Sequence, residues 1–221
     1  MDILITIDSD LLLAINGWRA LWADYFMYAF SGKIIWIPMY AAILYVLFRN
    51  LPWKVALAAV VTVAFVVLFA DQVCSSLIRP WVERLRPSNL ENPLSDSVQI
   101  VNGYRGGRYG FPSCHAANTF GLAFYVMYLF RHRWLTGFMM GWALMTCYSR
   151  AYLGVHYPGD LLVGALVGFV GAWLCCRLFY FFSRRYLHYE QPSSVLHGWM
   201  PILVGGMTIL GILLYSLASV M

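Results

Sequence analysis

Residues 112–130, PSCHAANTFGLAFYVMYLF, and 134–150, WLTGFMMGWALMTCYSR, decide the fold. Their apolar runs, 116–130 and 134–149, are each about 16 residues long and rise ~24 Å as α-helix. They therefore form a hairpin with legs of matching length. A polar cluster stands at the open end of each leg: Pro112-Ser113-Cys114-His115 before the first and Ser149-Arg150 after the second. Both clusters thus reach the same face, with His156 and Asp160 just beyond the second.

Four more apolar stretches, 34–48, 55–78, 161–182 and 199–220, give six candidate spans, several of which need flanking residues to reach the ~20 a bilayer requires. The 221 residues are 61% hydrophobic and only 11% charged, far from the roughly 25% charged composition of soluble domains. The expected architecture is all-α: a six-span transmembrane helical bundle with the active site at one membrane face. No repeat, low-complexity tract or Gly/Ser linker divides the chain, so 1–221 reads as one domain, with the catalytic motifs in 79–160. Gly164 and Gly168 form a GxxxG pair suited to internal helix packing.

Residues 1–33 read as an N-terminal interfacial segment. Across about 8–31, Asp10, Arg19 and Asp24 interrupt apolar residues in the manner of an amphipathic helix lying on the membrane. A seventh span is the alternative and would move the N-terminus to the opposite side. The N-terminus lacks a basic region followed by a short apolar core and a small-residue cleavage site, so no removable signal peptide is expected.

Arg49 and Lys54, Arg131 and Arg133, and Arg184 and Arg185 fall on one side of the six-span layout, which the positive-inside rule makes cytoplasmic. The polar clusters then face outward. The net charge of +5 forms no continuous basic stripe, which argues against a nucleic-acid partner. All the cations except Lys33 and Lys54 are Arg, a bias suited to bidentate recognition of phosphate. Cys74, Cys147, Cys175 and Cys176 lie in apolar runs as small core residues, without zinc or redox spacing.

Hydrolysis of a phosphomonoester requires groups that hold its oxygens, attack phosphorus and protonate the departing oxygen. Arg79, Arg86 and Arg150 offer guanidinium forks, and Ser113 and the amides near the start of the third span add donors. His156 is the candidate nucleophile, with Asp160 four residues on to fix its tautomer and stabilise its positive charge. His115 can protonate the leaving group and then activate water. No closely spaced set of metal ligands accompanies these residues, and neither a metal nor another cofactor is expected.

The three clusters resemble the signature of the type 2 phosphatidic acid phosphatase superfamily, which also includes vanadium-dependent haloperoxidases; the apolar composition resembles its membrane-bound bacterial lipid phosphatases. The family's first motif, Lys, six residues, Arg-Pro, reads here Arg79 to Arg86-Pro87; the second, Pro-Ser-Gly-His, reads Pro112-Ser113-Cys114-His115. The third, Ser-Arg, five residues, His, three residues, Asp, fits Ser149-Arg150 through His156 to Asp160. The resemblance implies metal-independent hydrolysis of a lipid phosphate through a phosphohistidine, with His156, His115 and Asp160 catalytic and Arg79, Arg86, Ser113, Cys114 and Arg150 holding phosphate. Arg79 and Cys114 depart from the family's Lys and Gly. A Cβ at 114 restricts the backbone, and a thiol near arginines and a helix start is a candidate for oxidation.

The implied setting is a bacterial inner membrane with the site facing the periplasm. The implied partner is a phosphorylated lipid, with no obligatory protein partner evident; candidates are lipid A, undecaprenyl diphosphate, phosphatidylglycerol phosphate and phosphatidic acid. A non-catalytic carrier or receptor for such a lipid is the competing reading, but transporters place polar groups near mid-membrane. Of the other arginines, Arg84, Arg105 and Arg108 either recognise a headgroup or solvate the loop. The glycine-bearing loop 88–111 is long enough to act as a lid or headgroup selector.

Overall fold

The structure, a computed structural model, describes residues 2–189 and 195–221. Its α-helices are α1 (Asp2–Gly17), α2 (Leu21–Phe30), α3 (Ile37–Asn50), α4 (Trp53–Asp71), α5 (Arg79–Val82), α6 (Cys114–Phe130), α7 (Arg133–Tyr152), α8 (Pro158–Leu187) and α9 (Met200–Ala218). Among the described residues there is no β-strand, only an isolated bridge between Leu85 and Tyr109. The all-α expectation holds, and each apolar run lies largely within a helix.

Local chemistry sets the ends of these helices. Pro80 lacks an N–H and its ring would crowd the carbonyl four residues back; a wider π-helical turn over Gln72–Ile78 precedes it. α4, that turn and α5 therefore continue as one 30-residue rod, Trp53–Val82. Ser113 caps α6, its Oγ accepting from the Ala116 N–H at 3.4 Å. α6 ends at Arg131, whose left-handed φ of 52° turns the chain directly into α7. The short connection makes the two helices antiparallel neighbours, as the hairpin requires.

Apolar helices in lipid gain little from burial against one another, so close packing at small residues must hold them. α6 and α8 provide it. A Cβ on Gly164 would strike the Ser113 carbonyl, and one on Gly168 would strike the Ala117 carbonyl and lie 2.8 Å from the Gly121 nitrogen. The GxxxG pair thus serves internal packing. At the mouth of this crossing the Ser113 N–H donates to the Asp160 carbonyl at 3.0 Å, joining the second and third motifs directly.

Among the described residues, three helices are long and apolar enough to cross a membrane: Trp53–Val82, Pro158–Leu187 and Met200–Ala218. Leu21–Phe30 with Ile34–Asn50, bent by 70°, makes a fourth if the pair is one span. Outward-facing large apolar residues run along α4 (Leu57, Phe65, Leu68), α8 (Leu162, Leu166) and α9 (Leu203, Met207, Leu210). At the end away from the motifs, Asn50 exchanges hydrogen bonds of 2.9 and 2.6 Å with the Leu196 backbone.

The N-terminal segment differs from a single helix over 8–31. Gly17 closes α1, Ala20 is extended, and an Arg19–Asp24 ion pair of 3.1 Å spans the break before α2. α1 lies across the motif-bearing end: Asn16, 1% exposed, donates to the Tyr152 carbonyl at 2.7 Å and exchanges bonds with the Gln99 backbone at 2.9 and 2.8 Å. Farther along, a 3₁₀ turn at Ile34–Trp36 leads into α3. Trp36 anchors that bend by donating to the Phe30 carbonyl at 2.9 Å and packing on Phe30 and Trp142.

If the α6–α8 approach holds the bundle, Gly168→Val destabilises the detergent-solubilised protein by about 3 kcal/mol, the upper end of overpacking costs. Gly141 has nothing within 4 Å of its Cβ position, so Gly141→Ala leaves the thermal midpoint unchanged or slightly raised. Parallel melting curves compare the two.

Candidate active site

The three motif clusters converge at one end of the bundle. His156 lies in the short turn between α7 and α8, 1% exposed, and Asp160 is in the first turn of α8, fully buried. The Asp160 Oδ2 accepts from the Tyr157 N–H at 3.0 Å and lies 3.5 Å from His156 Nδ1. That carboxylate–imidazole approach is at the limit of a hydrogen bond, and Nδ1 has no fully formed partner.

On the other side of the ring, Arg86 Nη1 lies 2.7 Å from His156 Nε2 and donates to the Val155 carbonyl at 2.9 Å. A guanidinium can only donate, so Nε2 must present its lone pair and the proton of a neutral ring belongs on Nδ1, facing Asp160. This is the tautomer required for attack through Nε2.

Arg86 reaches this position through the Leu85–Tyr109 bridge, where the Arg86 N–H donates to the Arg108 carbonyl at 3.0 Å and the Gly110 N–H to the Arg84 carbonyl at 2.9 Å. Gly110 permits the close approach: a Cβ there would lie 3.1 Å from both Arg86 Cγ and Asp160 Oδ2. The loop after Pro87 therefore folds down onto the site. Within it Arg105 donates to the Ser88 carbonyl at 2.7 Å and to Ser95 Oγ at 3.1 Å, while Arg108 pairs with Glu91 at 2.7 Å where both are exposed.

Arg79, at the start of α5, donates through Nη2 to the Pro112 carbonyl at 3.1 Å and to Cys114 Sγ at 3.0 Å. Arg150, 2% exposed near the end of α7, donates to Ser31 Oγ at 2.6 Å and to the Tyr104 hydroxyl at 3.1 Å. The Nε atoms of Arg79, Arg86 and Arg150 are all buried without a hydrogen-bond partner in the chain. Unmet buried donors are costly, and an oxyanion among them would satisfy them. Ser113 Oγ accepts the Ala116 N–H as the α6 cap, which leaves its O–H proton to donate, and Cys114 Sγ faces Arg79. Among the described residues no group of three His, Cys, Asp or Glu side chains converges to hold a metal ion.

So much positive charge governs protonation. Burial, then the charges of Arg86, Arg150, His115 and Arg79, hold the His156 imidazole well below its usual range, so it is neutral at physiological pH. Burial, then Arg150 and Arg79, lowers Arg86 to about 10, which leaves it charged. Burial followed by Arg150, Lys33 and Arg86 pushes His115 down to about 3. A phosphate dianion bound among the arginines would reverse that field and favour a proton on His115.

His115 also opens onto an apolar groove. The groove, about 520 Å³, runs between α3, α4, α6 and α7; Lys33 and Asn118 line it along with Leu44, Leu47, Val60 and Val67. Polar groups at the mouth and apolar walls along the helices fit a phosphate joined to a hydrocarbon chain.

The PAP2 superfamily pattern matches residues 59–184. The chain also resembles lipid A 4'-phosphatases along nearly its whole length. It is 50% identical to that of Bacteroides thetaiotaomicron, over 99% of both chains, and 34% identical to that of Porphyromonas gingivalis, over 93% of this chain and 90% of the other. The chain belongs to the PAP2 superfamily. Its fold is also that of a solved structure, Aquifex aeolicus LpxE, with a TM-score of 0.57, 22% identity and coverage of 76% of this chain and 93% of that one.

All the site residues expected from the PAP2 motifs lie at this end of the bundle. The sequence reading missed Ser31, Tyr104 and Asp8, and left Arg84 undecided. Ser31 and Tyr104 carry no sequence signal, since each is defined only by its contact with Arg150. Asp8 did carry one, an acid within an apolar N-terminal helix.

The depressed His156 also fixes the sign of acid sensitivity. The unfolded chain takes up a proton near the ordinary histidine value, about 6.5, while the folded site does not, so stability falls as pH drops below that value. The thermal midpoint should therefore decline below about pH 6.5, and His156→Gln should flatten the decline.

Proposed function

We propose that this PAP2 member hydrolyses a phosphate monoester of lipid A through a phosphohistidine, with the site facing the periplasm of a bacterial inner membrane. The observation that carries the reading is a neutral, buried His156 beside three guanidinium groups, at the end of the bundle where His115 opens onto an apolar groove. Two full-length relatives that bear the name lipid A 4'-phosphatase support the choice of substrate.

The proposed arrangement is one domain with six spans: α3, the α4–α5 rod, α6, α7, α8 and α9. α6 has 17 residues and α7 has 20, lengths that suffice for crossing once the motif residues at their mouths count as part of the interface. α1 and α2 form the interfacial segment. The Arg-bearing turns at Arg49, Arg131 and Arg184 then face the cytoplasm, which supports a periplasmic site.

In the proposed reaction Arg79, Arg86 and Arg150 hold the non-bridging oxygens, and Arg86 moves its Nη1 donor from Nε2 to phosphate. Nε2 then forms a bond to phosphorus while the P–O bond to the sugar breaks. His115, protonated in the field of the bound dianion, gives its proton to the departing oxygen. Asp160 offsets the positive charge that develops on the His156 ring. In the second step His115 takes a proton from water, whose oxygen attacks phosphorus, and the P–N bond breaks to release inorganic phosphate. No step calls for a metal ion or other cofactor.

Phosphate release by purified protein should be greatest with lipid A carrying a 4'-phosphate. Undecaprenyl diphosphate, phosphatidylglycerol phosphate and phosphatidic acid make up the rest of the panel, and preference for one of these would replace the substrate assignment. His156→Ala should lower turnover roughly a thousandfold or more and abolish an acid-labile phosphoenzyme. Inhibition by EDTA reversed by a divalent metal would reject the metal-free chemistry.

A further inference from the structure

α1 enters the site through one side chain. Asp8 Oδ1 accepts the Gly159 N–H at 2.7 Å at the start of α8, and its Oδ2 pairs with Arg84 Nη2 at 2.7 Å. The other arm of Arg84, Nη1, pairs with Asp160 Oδ1 at 3.0 Å. The guanidinium also lies over the Tyr157 ring, 3.7 Å from its centroid. A Cβ on Gly159 would lie 2.8 Å from the Asp8 carboxylate, so Asp8 is seated directly on the turn that carries His156 and Asp160. Asp8 lies outside residues 59–184, the part of the chain matched by the superfamily pattern.

We infer that Asp8 and Arg84 are positioning residues for the phosphoryl-transfer reaction, a clamp through which the N-terminal helix sets the place and the charge of Asp160 against His156. The inference rests on the function proposed above and adds residues that the motifs do not specify.

The argument is one of charge balance. Asp160 is buried, and a buried carboxylate needs a counter-ion to stay ionised. Arg84 supplies it, but a bare guanidinium would also oppose the positive charge that forms on His156 when phosphorus is attacked. Asp8 removes that opposition. Asp8, Arg84 and Asp160 together carry one net negative charge, directed at the ring through Asp160 Oδ2. Bridging the two carboxylates also holds Arg84 in a single orientation, with the Tyr157 ring limiting its swing. The titratable and charged groups facing Asp160 are His156, Arg84, Asp8, Arg86 and the Tyr157 phenol, so removing Asp8 leaves positive charge in excess around it.

The test measures steady-state kinetics on 4'-phosphorylated lipid A and, independently of any lipid, the pH dependence of orthovanadate binding. Asp8→Asn should lower kcat roughly 10- to 100-fold, the worth of a charge-assisted contact, with KM changed by less than about twofold. The acid limb of its kcat profile should move to lower pH, because unbalanced Arg84 keeps Asp160 ionised further into acid. Asp8→Glu should recover most of kcat, and Arg84→Lys should keep more activity than Arg84→Ala. Orthovanadate affinity should fall in Asp8→Asn, with the same displacement of its pH dependence.

A merely structural role for Asp8 would reduce the folded fraction and leave the pH limb in place. Parental kcat and parental vanadate binding across the pH range in Asp8→Asn would overturn the inference. Absence of lipid A turnover in the parent, together with weakened vanadate binding in Asp8→Asn, would reject the substrate assignment and leave the clamp standing.

Discussion

The close crossing of α6 and α8 is the constraint on which the site depends. Gly164 and Gly168 bring the α8 backbone onto the Ser113 and Ala117 carbonyls, and the Ser113 N–H to Asp160 carbonyl bond closes the mouth of that crossing. His115 and Asp160 lie within the first turns of the two helices, so the distance between them follows from the distance between the helix axes. Larger residues along this seam would separate the second motif from the third before touching any motif side chain. In a bilayer, where burying apolar surface between helices gains little, such backbone proximity is the main way to fix polar groups accurately.

Charge is the second constraint. Burial first, and then the mutually repelling guanidinium groups of buried Arg86 and Arg150 and half-buried Arg79, keeps both imidazoles neutral, which suits the nucleophile role proposed for His156 but not the acid role proposed for His115. In the proposed reaction the substrate's own dianion resolves the conflict, since its charge would favour a proton on His115. In that reaction the group acted on would itself prepare the proton donor. Arg150 shows how the protein bears this repulsion: Ser31, at the end of α2, and Tyr104, in the loop, each accept from it. Burial raises Tyr104, but Arg150 above all, with Arg86 and Lys33, outweighs it and brings the phenol below its ordinary value.

Much of this was legible in the sequence because it depends on periodic or local features. The hairpin of 116–130 and 134–149 fixes parity, and parity alone brings His115 and Arg150 to one face. The tautomer of His156 was legible in part, since the four-residue spacing to Asp160 brings the two together even though His156 lies in the turn before α8 and Pro158 opens the helix. The N-terminal region was less so. A single amphipathic helix over 8–31 failed to register that Gly17 ends α1 and that Asn16 and Asp8 make contacts far away in sequence, at Gln99, Tyr152 and Gly159. Hydropathy periodicity says which face of a helix is apolar; it does not say which distant backbone groups lack partners. Arg84 was undecided for the same reason, as its two carboxylates, Asp8 and Asp160, lie far from it in sequence on either side.

The departures at Arg79 and Cys114 become coherent when taken together. Arg79 Nη2 is shared between the Pro112 carbonyl and Cys114 Sγ, so the thiol serves as an acceptor that helps aim the guanidinium into the site. A lysine here would bring a compact ammonium without a planar fork, and a glycine at 114 would offer no side-chain acceptor. Cys114 also packs with Ala70, Cys74 and Ala117, next to the π-helical turn that carries the chain to Arg79. The bulk that a Cβ adds at 114 is thus taken up against Ala70, Cys74 and Ala117. The two replacements act as one unit: the larger cation needs a steering contact, and the added side chain supplies it.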